Sequence, residues 1–154
     1  MNVEFTRHLM YIFDTSVLVA GLRSQRGASF VILQALRYGL IKGAASTALL
    51  LEYSDVLKRD ANLRQFWATG DEVEVILGVL ASILEPVPIY FTWRPQLTDP
   101  NDEMVLECAV NAQARAIVTF NIRDFQPVIN QFQVKLVQPG TFVKQLGLVQ
   151  RLAQ

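Results

Sequence analysis

Residues 9–16 read Leu9-Met10-Tyr11-Ile12-Phe13-Asp14-Thr15-Ser16, a short apolar run that ends on a carboxylate and two hydroxyls. A run of that length, bounded by polar residues, suits a strand buried on both faces. Outward from it, residues 27–38 carry Phe30, Val31, Leu33 and Leu36 at helical spacing, closed by Gly39. Residues 40–45 suit a second short strand. Ser46 or Thr47 is a suitable N-cap for a helix over residues 48–58. Residues 61–84 are helical in pattern with a break at Thr69-Gly70, where Asp71 and Glu72 favour a helix start, and Pro86 and Pro88 stop them.

The rest of the chain repeats the alternation. Residues 85–91 are expected to hold an edge strand, and a loop through Trp93, Pro95 and Asp99 leads to a helix that opens at Pro100. Residues 116–120 read as a strand, 121–127 as a turn or loop, 134–137 as a last strand and 141–146 as a C-terminal helix. Strands alternating with helices predict an α/β fold with a parallel sheet and helices on both faces. Functional sites in such folds gather at the carboxyl edge of the strands. With no repeat, low-complexity tract or linker, residues 1–154 are expected to form a single domain.

Composition narrows the function classes. The chain is 51% hydrophobic, with a mean hydropathy of +0.26, yet it holds no apolar run approaching the roughly 20 residues of a membrane-spanning helix. Residues 1–8 lack the basic start and apolar stretch of a secretory signal, so a cytoplasmic protein without membrane attachment is expected. Cys108 is the only cysteine, which excludes an internal disulfide and a cysteine-rich zinc site. Its apolar helical setting reads as core. Fourteen basic residues balance fourteen acidic ones, so the broad basic footprint of many nucleic-acid binders is missing. Arg23, Arg26, Lys58, Arg59, Arg64 and Arg123 are local candidates, better explained as solvated surface.

The acidic residues carry the chemistry. Asp14 follows the first strand, at the edge where sites form, although capping the next helix would also account for it. Glu52 lies on the border of the buried stripe set by Leu49, Leu50, Tyr53, Val56 and Leu57, from which it can reach a cleft or water. Asp99 reads as an N-cap before Pro100. Asp102 shares a face with Val105, Leu106 and Ala109, and of the three acids at this helix start it alone is expected on the apolar side. An ionised group there is costly unless paired or metal-bound. Glu103 lines up with Glu107 instead. The run Thr119-Phe120-Asn121-Ile122-Arg123-Asp124-Phe125 again follows a strand, although Asn and Asp are ordinary turn residues. Clustered carboxylates call for a hard divalent cation, Mg²⁺ or Mn²⁺, of the kind used to hydrolyse phosphodiesters. No P-loop, G-x-G-x-x-G or G-x-S-x-G motif offers another chemistry. His8, the only histidine, lies near the terminus.

These residues together resemble a PIN domain: F-D-T-S-V-L-V at 13–19, L-L-E-Y-x-x-V-L at 50–57, D-P-N-D-E-M-V-L-E-C-A at 99–109 and I-V-T-F-N-x-R-D-F at 117–125. Their order and spacing are similar to those of bacterial toxin-type PIN proteins over residues 9–145. The resemblance implies a three-layer α/β/α sandwich with a short, mainly parallel sheet, and an acidic pocket that binds Mg²⁺ or Mn²⁺ and cleaves single-stranded RNA. It implies Asp14, Glu52, Asp102 and Asp124 as catalytic and metal-binding residues, with Thr15, Ser16 and Thr119 supporting the site by hydrogen bonding and Asp99 and Asn121 beside them. Many PIN domains have Asp where this chain has Asn121. A homodimer and a small antitoxin protein are implied as partners.

Rival readings are a phosphoryl-accepting signalling domain and a PIN fold that binds RNA or protein without cutting. The first predicts an acidic pair at the first strand, and Asp14 has no acidic neighbour there. The second has no evident need for carboxylates at Asp14, Glu52 and Asp102. Phe120, Phe125 and Trp93 could stack on bases but are expected in the core.

Overall fold

The computed structural model describes residues 9–92 and 96–154, with the backbone alone at Val128; His8, Trp93 and Pro95 lie outside the described residues. The sheet is five-stranded and every pairing in it is parallel: β1 (Met10–Phe13), β2 (Lys42–Ala45), β3 (Glu85–Pro86), β4 (Ala116–Val118) and β5 (Lys135–Val137), in the order β3-β2-β1-β4-β5. Helices flank it in the three-layer α/β/α arrangement. Every residue of β1 and β4 is buried, which fits strands covered on both faces and explains their unbroken apolar sequences.

β1 is followed by α1 (Thr15–Arg23) and α2 (Ala28–Arg37), and β2 by α3 (Thr47–Leu57), the four-residue α4 (Asp60–Leu63) and α5 (Gly70–Ile83). The chain then crosses from β3 through α6 (Pro100–Ala112) to β4, and α7 (Ile122–Phe132) leads to β5. α1 and α2 pack against each other, with α2 also on α8 (Pro139–Gln145), whereas α6 packs on β1 and β4 and against α3 and α7. α8 places Phe142 edge-on to Tyr11 and Phe13, with ring centroids 4.8 and 5.9 Å away. α9 (Leu148–Leu152) follows Gly147, which holds φ +60°. Gly43 of β2 is required by close approach: a Cβ there would lie 2.6 Å from Leu84 Cδ2.

Several local expectations hold. Ser46 caps α3, accepting from Leu49 N at 3.2 Å, and Thr69 and Glu72 form a reciprocal capping box at the start of α5. Asp99 caps α6 with Pro100 in its first turn. Cys108 is buried, and burial pushes its thiol up to about 12.

Other expectations are corrected. Residues 121–127 are not a loop: α7 runs through them with Pro127 inside. A proline at that depth removes one hydrogen bond to the preceding turn, and the fully buried Phe125 anchors the helix despite it. The edge strand expected over 85–91 is only Glu85–Pro86. Beyond it the side chain of Asn111 takes over the backbone groups, accepting from Tyr90 N and Phe91 N and donating to Phe91 O. Asp102 is not alone in being buried at the start of α6, because Glu103 is buried as well. Its Oε1 accepts from the backbone N–H groups of Gln96 and Leu97, so the loop before the helix folds over it. The apolar run after Asp14 is a helix of its own, α1.

Candidate active site

The strand order reverses between β1 and β4, and the crevice outside their carboxyl ends is where an open α/β sheet offers a site. Asp14 leaves β1 at that point, and its N–H still bonds Val118 O of β4 at 3.0 Å. Asp14 occupies the N-cap position of α1 yet makes no side-chain cap hydrogen bond. Its Oδ2 instead accepts from Ser16 Oγ at 3.0 Å and from Thr119 Oγ1 at 2.7 Å. The capping explanation of Asp14 therefore fails. Its carboxylate is buried to 6% exposure and held across the switch point by hydroxyls from both strand ends.

Thr119 also accepts from Asn121 N at 2.9 Å, which fixes the path of the chain into α7. Asn121 itself is exposed, and its amide does not cap the helix. Asp124, exposed on the first turn of α7, and Asp99, exposed at the head of α6, complete the acidic rim. Burial, then the charges of Asp14, Asp99, Asp124 and Glu103, hold the Asp102 carboxyl up at about 7. Glu52 is half-buried on α3. Its carboxyl is raised by burial, opposed by Arg59, and raised further by Asp55, Asp99 and Asp14. Asp14 and Asp99 thus act on both Glu52 and Asp102, whereas Asp124 acts on Asp102. Asp14, Asp99, Asp102 and Asp124 are brought together, and Glu52 joins from the α3 side. Thr15 is half-buried beside Asp14 and makes no side-chain hydrogen bond among the described residues.

Tyr53 and Glu103 escaped sequence reasoning as parts of the site. Tyr53, fully buried on α3, donates its hydroxyl to Phe13 O, the carbonyl just before Asp14, and so sets the height of α3, and of Glu52, at the strand end. A phenol on an otherwise apolar stripe needs a buried acceptor, and that signal could have pointed to it. Tyr53→Phe leaves the Phe13 carbonyl short of its partner, and a loss of about 1–3 kcal/mol is expected in urea unfolding; an unchanged midpoint would mean that the bond contributes nothing. Of the basic candidates, Lys58 pairs with Glu74 at 2.8 Å, Arg59 with Asp55 at 2.7 Å, and Arg23 donates to Asn62. Arg123 is exposed beside Asp124, without a partner among the described residues.

A family model described as PIN domain matches residues 10–123. The chain belongs to the PIN-domain family. The match includes Asp14, Glu52, Asp99, Asp102, Thr119 and Asn121 and ends one residue before Asp124. PIN domains are generally nucleases and usually use divalent metals. No curated protein matches the chain. Among solved structures, the crystal structure of VapBC2 from Rickettsia felis bound to a DNA fragment from their promoter contains a chain similar to this PIN domain. Its TM-score is 0.55 at 17% identity, over 84% of this chain and 98% of that one, a likeness of fold.

Whether a divalent cation suits this PIN site is a question of donors. Among the described residues no group of three or more Asp, Glu, His or Cys side chains is arranged to hold an ion by itself. Mg²⁺ and Mn²⁺ do not require one, since they are bound through one or two carboxylates and keep several waters. Asp14, its rotation fixed by two hydroxyls, and Asp102, close enough to feel that charge, are an all-oxygen set that fits such an ion.

Proposed function

We propose that this PIN domain is a metal-dependent endoribonuclease that hydrolyses phosphodiester bonds of single-stranded RNA as the toxin of a toxin–antitoxin pair. The observation that carries the reading is Asp14: a carboxylate in a capping position that does not cap, clamped by Ser16 and Thr119 beside Asp102. The structural likeness to a VapBC2 chain supports the toxin role and a small antitoxin partner; a homodimer and action in the cytoplasm belong to the same proposal. No helix among the described residues is long and apolar enough to cross a membrane. The whole chain, residues 1–154, acts as one domain.

In this reading Asp14 and Asp102 hold Mg²⁺ or Mn²⁺, with Glu52 and Asp124 as the acidic walls on either side. A cation held there would supply an activated water and a positive charge to offset that on the phosphate oxygens. Ser16 and Thr119 keep the Asp14 carboxylate from rotating. Asp102, whose carboxyl is raised to about 7 by burial and then by its acidic neighbours, would have to be ionised to hold the cation. Asn121 presents an amide at the mouth of the cleft, and Asp99 serves α6 as its cap while adding to the negative field.

Labelled single-stranded RNA incubated with the purified protein should be cut in Mn²⁺ and left intact in EDTA. Asn121 favours one other reading, a PIN fold that binds RNA or protein without cutting, because an exposed amide stands where many PIN domains carry an acid. Intact RNA in Mn²⁺, with no heat of Mn²⁺ binding in calorimetry, would make that the better account.

A further inference from the structure

We infer that Phe120, next in the chain to the Thr119 that bonds Asp14, is a stacking platform for one nucleobase of the RNA. The inference rests on the ribonuclease reading and adds a specificity-determining residue to it. The acidic neighbours Asp14, Asp99, Asp102 and Asp124 repel a polyanion, and the chain carries no net charge to offset this. Lys58 and Arg59 are engaged by Glu74 and Asp55. Much of the affinity must therefore come from contacts that do not depend on charge, and an aromatic face supplies one to any base that is not stacked within a duplex.

Phe120 is 46% exposed between Thr119, which has no exposure, and Asn121. Core packing does not explain it, since Phe125 five residues on is fully buried and performs that task. The other exposed aromatics have local partners away from the cleft: Tyr38 lies under the Arg37 guanidinium, Trp67 donates to Gly21 O, and the backbone at Tyr90 and Phe91 is tied to Asn111 towards the far end of α6. Among the described residues, Phe120 is the exposed aromatic that directly adjoins a residue bonded to Asp14. Its backbone is also fixed on both sides. Thr119 N bonds Val137 O at 3.0 Å, Thr119 Oγ1 bonds Asp14, Asn121 N bonds Thr119 Oγ1, and Asp124 N bonds Asn121 O at 3.1 Å. A platform already held in place loses little freedom when a base docks. Arg123, three positions further, offers a cation for the adjoining phosphate.

The test is fluorescence anisotropy of a short labelled single-stranded RNA in EDTA, where it is not cut, with wild type, Phe120→Ala, Phe120→Leu and Phe120→Trp. Alanine and leucine should each weaken binding roughly tenfold and tryptophan should retain it, as stacking on a π-face requires. Thermal midpoints should fall much less than for truncation of the fully buried Phe125, because nearly half of the Phe120 surface is exposed. RNAs with a single abasic nucleotide moved along the strand should bind wild type less well at one position and show no such loss with Phe120→Ala. Wild-type affinity in the alanine variant, or the same abasic loss in both proteins, overturns the proposal. Phe120-dependent binding without cleavage in Mn²⁺ would remove the ribonuclease reading and leave the platform standing, whereas cleavage with no Phe120 dependence would do the reverse.

Discussion

Asp102→Asn is expected to lower kcat/KM on single-stranded RNA by about a thousandfold, since a ligand carboxylate helps stabilise transition-state charge to the extent of several kcal/mol. The same substitution should stabilise the metal-free protein at neutral pH. Burial and four acidic neighbours move the Asp102 carboxyl from an ordinary value of 3.8 to about 7, so the folded chain holds this proton more tightly than the unfolded one. Below about pH 4 both states are protonated and the group adds no pH dependence. As pH rises from about 4 to 7 the unfolded chain releases the proton first, and the contribution of Asp102 to stability falls; above 7 it is level. The difference in urea midpoint between variant and wild type, measured in EDTA, should therefore grow across that window and flatten beyond it. Added Mn²⁺ should narrow or reverse the difference, because the cation binds the wild-type carboxylate. An active variant, or a difference that does not change with pH, would remove Asp102 from the centre of the site.

Phe125→Ala should produce the largest loss of stability among the substitutions considered. The ring is fully buried on the first turns of α7, and truncating a buried phenylalanine costs about 3–5 kcal/mol. Pro127 makes the helix depend on that anchor, because it has already removed a backbone hydrogen bond. The urea midpoint should drop accordingly. Cleavage at low temperature, where the variant is still folded, should also fall, because Asp124 rides on the same turn. A midpoint close to wild type would show that α7 is held by other contacts. Phe120→Ala should cost much less stability, since nearly half of that side chain is exposed, so the pair separates an aromatic that builds the fold from one that serves the proposed substrate.

Much of this architecture is legible in the sequence because local and tertiary preferences agree. The β1 run ends just before Asp14 as its sequence suggests, and Ser46 and Asp99 cap where their side chains suggest. The misses have physical causes. α1 is hidden because Val17, Leu18, Val19, Ala20 and Leu22 form a nearly continuous apolar run, in which a buried helix and a buried strand look alike. α7 is hidden by Pro127, whose breaking tendency was overridden by the burial of Phe125. Glu103 looks like a surface acid until residues 96–99 fold back over it, a contact that periodicity along one helix does not register. β3 is short because Pro88 has no N–H to continue the ladder, and the backbone at Tyr90 and Phe91 is held instead by Asn111, 21 and 20 positions downstream. For the candidate site, the sequence supplies the acids by their positions, whereas the hydroxyl clamp on Asp14 and the Tyr53 anchor are products of the fold.

The bond from Thr119 Oγ1 to Asp14 Oδ2 spans 105 positions, and β1 has β4 as its partner on one side. On the ribosome this orders events. A nascent chain that has emerged only as far as α6 already contains Asp14, Glu52 and Asp102, but β1 still has a bare edge and its terminal carboxylate swings without Thr119. An incomplete translation product thus lacks the clamp on its first carboxylate, and the site is assembled only when β4 and the Thr119 that follows it have docked.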